Sequence, residues 1–254
     1  MIAAAPPPAV AAPFRAVDPA HTLVIETTKG RVFVELRPDL APKSVERVET
    51  LARRGTYDGL LMHRVLAGRF VQTGNPNNKD GGGTELPNLP LEAYRRFEPA
   101  KLTVSSRASD GWTGFLGAQP VASWQPAPDG RLQAWGAYCE GVMGMGRQAA
   151  PDTGNSEFFI TFRPERGFDH DYAVVGRVVI GLDRLKTVAV GEPPATPDKM
   201  LRVRTLADLP AAERLVVEVE DTGSPAFAAR IAAVRRAKAA DFSVCDVPVA
   251  GRAR

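Results

Sequence analysis

The chain has 254 residues, 44% hydrophobic and 24% charged, an ordinary globular composition with room for one large or two small domains. A net charge of +3 is too slight to argue for nucleic acid, and no apolar run approaches the roughly 18 to 20 residues of a membrane span. Three histidines and two cysteines leave little material for a metal site, and His21, His63 and His170 show no paired spacing, so neither metal nor cofactor is expected.

Residues 2–20 are rich in Ala and Pro, which opposes both helix and ladder pairing and predicts a flexible or extended arm over 1–20. The arm lacks the basic start and apolar core of a signal peptide. It reads either as what remains after such a peptide is removed or as a cytoplasmic tail. Residues 22–25 and 31–36 alternate around Lys29-Gly30 and predict a hairpin. A helix follows, with Pro42 in its first turn, Gly55 near its end, and Val45, Val48, Leu51 and Ala52 on one stripe.

Residues 61–75 read as strand, Ala67-Gly68 corner, strand. Phe70 and Gln72 share a parity and so a face, and Arg64 reaches that face from before the corner. A cation, an aromatic ring and an amide around one spot suit a ligand that is apolar on one side and carries an amide on the other. His63 has the opposite parity to Arg64 and is expected beneath the strand in a structural role. Residues 74–85 are rich in Gly and Asn without the lysine and serine or threonine of a phosphate loop, and predict a surface loop.

Residues 91–140 hold Tyr94, Trp112, Phe115, Trp124, Trp135 and Tyr138, too many rings for a disordered segment. Asp110-Gly111 and Asp129-Gly130 look like hairpin turns. Strands are expected over 141–147, around Phe158-Phe159, and over 172–180, 201–206 and 215–219. Short helices are expected over 181–190 and 225–239, and a last strand over 242–249. Phe158 should face away from Phe159. Arg230, Arg235, Arg236 and Lys238 read as a solvated face. Cys139 and Cys245 are either a chance buried pair or a disulfide that joins the tail to the aromatic segment. A bridge is the favoured reading; it would need an oxidising compartment.

Two blocks then stand out together. His63-Arg64-Val65 with Phe70-Val71-Gln72, and later Asn155-Ser156-Glu157-Phe158-Phe159-Ile160, resemble the cyclophilin family of peptidyl-prolyl isomerases, which reads close to F-H-R-V-x-P-x-F-x-I-Q-G-G-D and N-S-Q-F-F-I. The resemblance implies a mostly β fold: a closed eight-stranded antiparallel barrel capped by two helices, spanning 21–222. An aromatic insertion at about 93–140 and a helical extension over 223–254 would be added to it. A closed barrel has no free edges, so a monomer is expected.

The resemblance assigns catalysis to Arg64 and substrate contacts to Phe70, Gln72, Phe159, Phe168 and Tyr172. It aligns Gln148 and Ala149 with the loop that holds substrate backbone. The partners it implies are proline-containing peptides and unfolded or exported chains, and the Ala/Pro arm and the disulfide favour the periplasm over the cytoplasm. A catalytically weak barrel that only holds proline segments is the rival reading. Three departures support the rival: Arg69 at a pocket phenylalanine position, Glu157 for the glutamine of Q-F-F, and Gly167 where a pocket tryptophan aligns. A tryptophan from the insertion is expected to rebuild that wall. No G-x-S-x-G elbow or cysteine-histidine arrangement supports a hydrolase.

Overall fold

The computed structural model describes residues 13–108 and 111–254. Most of the expected arm, residues 1–12, and Asp110 of the first expected turn lie outside the described residues. In chain order the strands are β1 (Phe14–Ala16), β2 (Thr22–Thr27), β3 (Gly30–Leu36), β4 (Arg64–Leu66), β5 (Phe70–Thr73), β6 (Arg95–Phe97), β7 (Thr103–Arg107), β8 (Gly111–Leu116), β9 (Gln119–Trp124), β10 (Leu132–Gly136), β11 (Val142–Met145), β12 (Phe158–Thr161), β13 (Val174–Ile180), β14 (Met200–Thr205), β15 (Val217–Glu220) and β16 (Gly251–Ala253). The α-helices are α1 (Pro42–Arg53), α2 (Leu182–Leu185) and α3 (Pro225–Lys238).

Eight strands form one antiparallel sheet in the order β14-β2-β3-β13-β11-β12-β5-β4. Its two ends approach each other: the Met62 N–H donates to Asp198 O and the Met200 N–H to Leu60 O, each at 2.9 Å. Most of these strands are buried on both faces, so polar-apolar alternation is interrupted by apolar runs such as Val32-Phe33-Val34. Val32, Val34 and Leu36 point into a core that Val45, Val48 and Leu51 of α1 close. Phe33 and Val24, of opposite parity, join a second core shared with the insertion and the tail. α2 is shorter than expected over 181–190: after Leu185 the chain continues as a turn, and the Ala189 N–H donates to the Asp198 carboxylate at 2.8 Å. Leu185 and Val188 still cover the barrel core.

The insertion is a five-stranded sheet, β6-β10-β9-β8-β7. Gly130 has φ +77°, as the expected turn between β9 and β10 requires. A third sheet, β1-β15-β16, unites the two chain ends. This corrects two expectations. Residues 14–16 of the expected arm form a strand, because they pair with Glu218–Glu220 of β15, and Arg252 lies 4.0 Å over the Phe14 ring. Residues 242–249 form turns with Val244, Val247 and Val249 buried, and the last strand is β16 instead. On the basic face of α3, Arg235, Arg236 and Lys238 are exposed as expected, with Lys238 3.3 Å from Asp246, while Arg230 grips the buried Glu220 with two bonds of 2.8 and 2.6 Å. Cys139 and Cys245 are joined in a disulfide with Cα atoms 5.1 Å apart.

Candidate active site

Strand register assembles the site. Arg64 lies opposite Gln72 in the β4–β5 pair, and Gln72 lies opposite Phe159 in the β5–β12 pair. The three side chains therefore form one cross-strand row, with Phe70 two residues from Gln72 on the same face. The row opens into a cleft lined by Arg64, Phe70, Gln72, Phe159, Phe168 and Tyr172, together with Asp80, Gly146 and Arg147. Six of the residues expected at the site thus come together. The rings make an edge-packed floor: Phe159 lies 5.9 Å from Phe70, 5.5 Å from Phe168 and 5.1 Å from Tyr172.

A polar rim faces that floor. Arg64 stands 5.3 Å over the Phe70 ring, donates from Nη1 to Gln72 Oε1 at 3.2 Å, and donates from Nε to Glu192 Oε2 at 2.6 Å. Gln72 Nε2 donates to Asp80 Oδ1 and Glu157 Oε2, both at 2.9 Å. Its two amide protons are engaged, so Gln72 can hold a ligand carbonyl only where the exposed Asp80 gives way. Glu157 also accepts from Asn75 Nδ2 at 2.8 Å, and burial pushes its carboxyl above the usual range.

A profile of the family described as "Cyclophilin type peptidyl-prolyl cis-trans isomerase/CLD" matches residues 22–205. The chain belongs to the cyclophilin-type peptidyl-prolyl cis-trans isomerase family. This cyclophilin is 31% identical over 200 residues to a probable peptidyl-prolyl cis-trans isomerase of Brucella suis, covering 76% of this chain and 86% of that one. It superposes with a TM-score of 0.85 on the crystal structure of cyclophilin AquaCyp293 from Hirschia baltica, at 29% identity over 94% of this chain and 93% of that one. A cyclophilin of Cryptosporidium parvum, crystallised in the presence of the dipeptide Ala-Pro, shares the fold at 18% identity, with a TM-score of 0.52 over 72% of this chain and 98% of that one.

Not every expected residue reaches the cleft of this cyclophilin. Gln148 and Ala149 are on an exposed loop outside its wall, and Gly146 and Arg147 occupy the wall instead. Arg147 Nη1 donates to the Gln148 and Ala149 carbonyls at 2.9 and 3.2 Å, while its guanidinium lies 4.7 Å over Tyr172. Arg147, Asp80 and Glu192 had no local signal; only folding brings them to Arg64 and Tyr172.

The departures also find places. Arg69 turns out of the cleft to make two 2.9 Å bonds to Glu165. A Cβ at Gly167 would meet nothing within 4 Å, so that part of the wall is open. No tryptophan lines the cleft, which overturns the expectation that one rebuilds it. Instead the insertion grips the loop behind the wall. Trp135 Nε1 and the Tyr138 N–H donate to Asp169 at 3.0 and 2.9 Å, and His170 packs against Trp124 and Trp135. His63 and Phe158 lie buried away from the cleft, as their parity requires, with Phe158 packed edge-on to Tyr57 at 5.5 Å.

Proposed function

We propose that this cyclophilin accelerates rotation about X-Pro bonds in unfolded or exported polypeptides, with Arg64 as the catalytic residue. The single observation that carries this reading is the Arg64 guanidinium poised over the aromatic floor, bonded to Gln72 at 3.2 Å. The X-Pro bond is held planar by amide resonance, behind a barrier of roughly 18 to 20 kcal/mol. A catalyst must bind the twisted bond better than either planar isomer. Twisting localises a lone pair on the prolyl nitrogen. An always-charged donor aimed there stabilises only the twisted state, and a planar fork suits the task better than an ammonium.

The floor of Phe70, Phe159, Phe168 and Tyr172 takes the pyrrolidine ring. Gln72 takes the neighbouring carbonyl once Asp80 withdraws. Nothing in this scheme needs a covalent step. The Ala-Pro dipeptide used with the Cryptosporidium relative supports proline peptides as ligands. The Cys139–Cys245 bridge supports a periplasmic location, since disulfides persist in oxidising compartments. The test is isomerisation of a short X-Pro peptide by wild type and Arg64→Ala. Fast catalysis lost by about 100-fold or more in a folded variant supports the reading. Background rate in the wild type would favour a barrel that only holds proline segments, the reading that the open wall at Gly167 supports.

A further inference from the structure

Beside the proline cleft, on the far side of Gln72, three ligand-type side chains converge from separate parts of the chain. His63 precedes β4, Asp80 is in the glycine-rich loop, and Glu157 precedes β12. One ligand atom from each lies within 4.8 Å of the other two. His63 is only 2% exposed, and neither ring nitrogen has a hydrogen-bond partner; the Leu61 backbone nearby does not reach bonding geometry. Glu157 is 3% exposed, and the side chains that bond its carboxylate are the neutral amides of Gln72 and Asn75. A buried imidazole without a partner and a buried carboxylate without a cation are each costly. Here they face one another.

We propose that His63, Asp80 and Glu157 form a binding site for a borderline divalent transition ion of the zinc class. A neutral imidazole and two carboxylates match the donor preference of such ions. The two carboxylates balance the ion's charge; Arg64, whose Nη1 stands 4.0 Å from Asp80 Oδ2, keeps its shorter pair with Glu192 at 2.6 Å when Asp80 turns to the ion. Zinc bonds of about 2.0–2.2 Å need ligand atoms about 3.3–3.6 Å apart, so the site must tighten slightly. Asp80, exposed and followed by Gly81, Gly82 and Gly83, is the ligand free to close. The ion enters through a surface recess that His63, Asn78, Lys79 and Asp80 line together with the Arg64–Glu192 pair. Asp80 and Glu157 also hold the Gln72 amide, so loading the ion changes what Gln72 offers the cleft.

The test is Zn²⁺ titration of the full chain against a chromophoric chelator at neutral pH, without peptide, so that its outcome is independent of isomerase activity. One equivalent is expected to bind in the micromolar range. Asp80→Asn and Glu157→Gln should each weaken it by about tenfold or more, and His63→Gln should abolish it. Asp80 is exposed, so its variant remains folded whatever happens to the buried positions. No binding to the wild type in this range, or undiminished binding to Asp80→Asn or Glu157→Gln, would overturn the proposal.

Discussion

Tyr138 stacks on Phe159 with ring centroids 5.7 Å apart and planes 15° from parallel. The last aromatic residue of the insertion thus backs the central ring of the cleft floor. Gly144 makes the approach possible: a Cβ there would lie 2.3 Å from the Tyr138 hydroxyl and 2.7 Å from the Phe159 ring. The insertion is therefore continuous with the site. Removing the ring leaves a cavity behind Phe159, so Tyr138→Ala should cost about 3–5 kcal/mol in urea unfolding and raise KM for an X-Pro peptide. Tyr138→Phe keeps the stack and loses only the bond to Ala173 O, about 1 kcal/mol, with KM unchanged. Equal KM values for the two variants would detach the insertion from substrate binding.

Glu192 holds Arg64 at Nε while Gln72 holds it at Nη1. The two contacts use different edges of the guanidinium and fix its plane over Phe70. Glu192→Gln should weaken one edge and lower kcat about two- to fivefold, an exposed ion pair's worth, with KM little changed. Arg64→Lys cannot serve both partners and should behave nearly as badly as Arg64→Ala. A KM effect without a kcat effect in Glu192→Gln would show that Glu192 binds substrate rather than orienting Arg64.

Much of this arrangement was legible because strands repeat every two residues. Parity put Phe70 and Gln72 on one face and opposed His63 to Arg64, the corner at Ala67-Gly68 brought Arg64 within reach, and register sets Arg64 opposite Gln72. The α1 stripe and the hairpin at Lys29-Gly30 were equally local signals. What the sequence hid was non-local. The pairing of β1 with β15 joins residues 14–16 to 218–220, and no periodicity announces a partner so far along the chain. Asp80 and Glu192 belong to irregular segments and meet Arg64 only through tertiary folding. Counting histidines suggested no metal ligands, since motif spacing detects sites on one element. His63, Asp80 and Glu157 come from three.

Arg69 and Glu165 predict a pH signature. Hydrogen bonds from Arg69, with a second set from Arg163, hold the Glu165 carboxyl down to about 2. In the unfolded chain a glutamate titrates near about 4.3. As pH falls through that value the unfolded state takes up the proton first, so the pair's contribution is complete above it and disappears toward pH 2. The urea midpoint of Arg69→Ala should therefore lie below that of wild type at pH 6 and approach it as the pH is lowered through 4 to 3. A gap that stays constant over this range would mean that Arg69 acts through packing, not charge.

The Cys139–Cys245 bridge sits next to Tyr138 in sequence and closes a loop across a separation of 106 residues. It fastens the turn after α3 to the base of the insertion, where the Tyr138 N–H already binds Asp169. Constraining a loop of this length is worth about 4–5 kcal/mol in the chain-entropy model, which for a chain of this size is roughly 10–15 °C in Tm. Reductant should lower the wild-type Tm by that order. The Cys139→Ser, Cys245→Ser double variant should start low and not respond. Because the bridge anchors the β10–β11 connection that carries Tyr138, reduction should also raise KM while kcat, set at Arg64, changes less. A reduced protein with unchanged Tm and KM would show that the core around Val244 and Val247 holds the tail without the covalent bond.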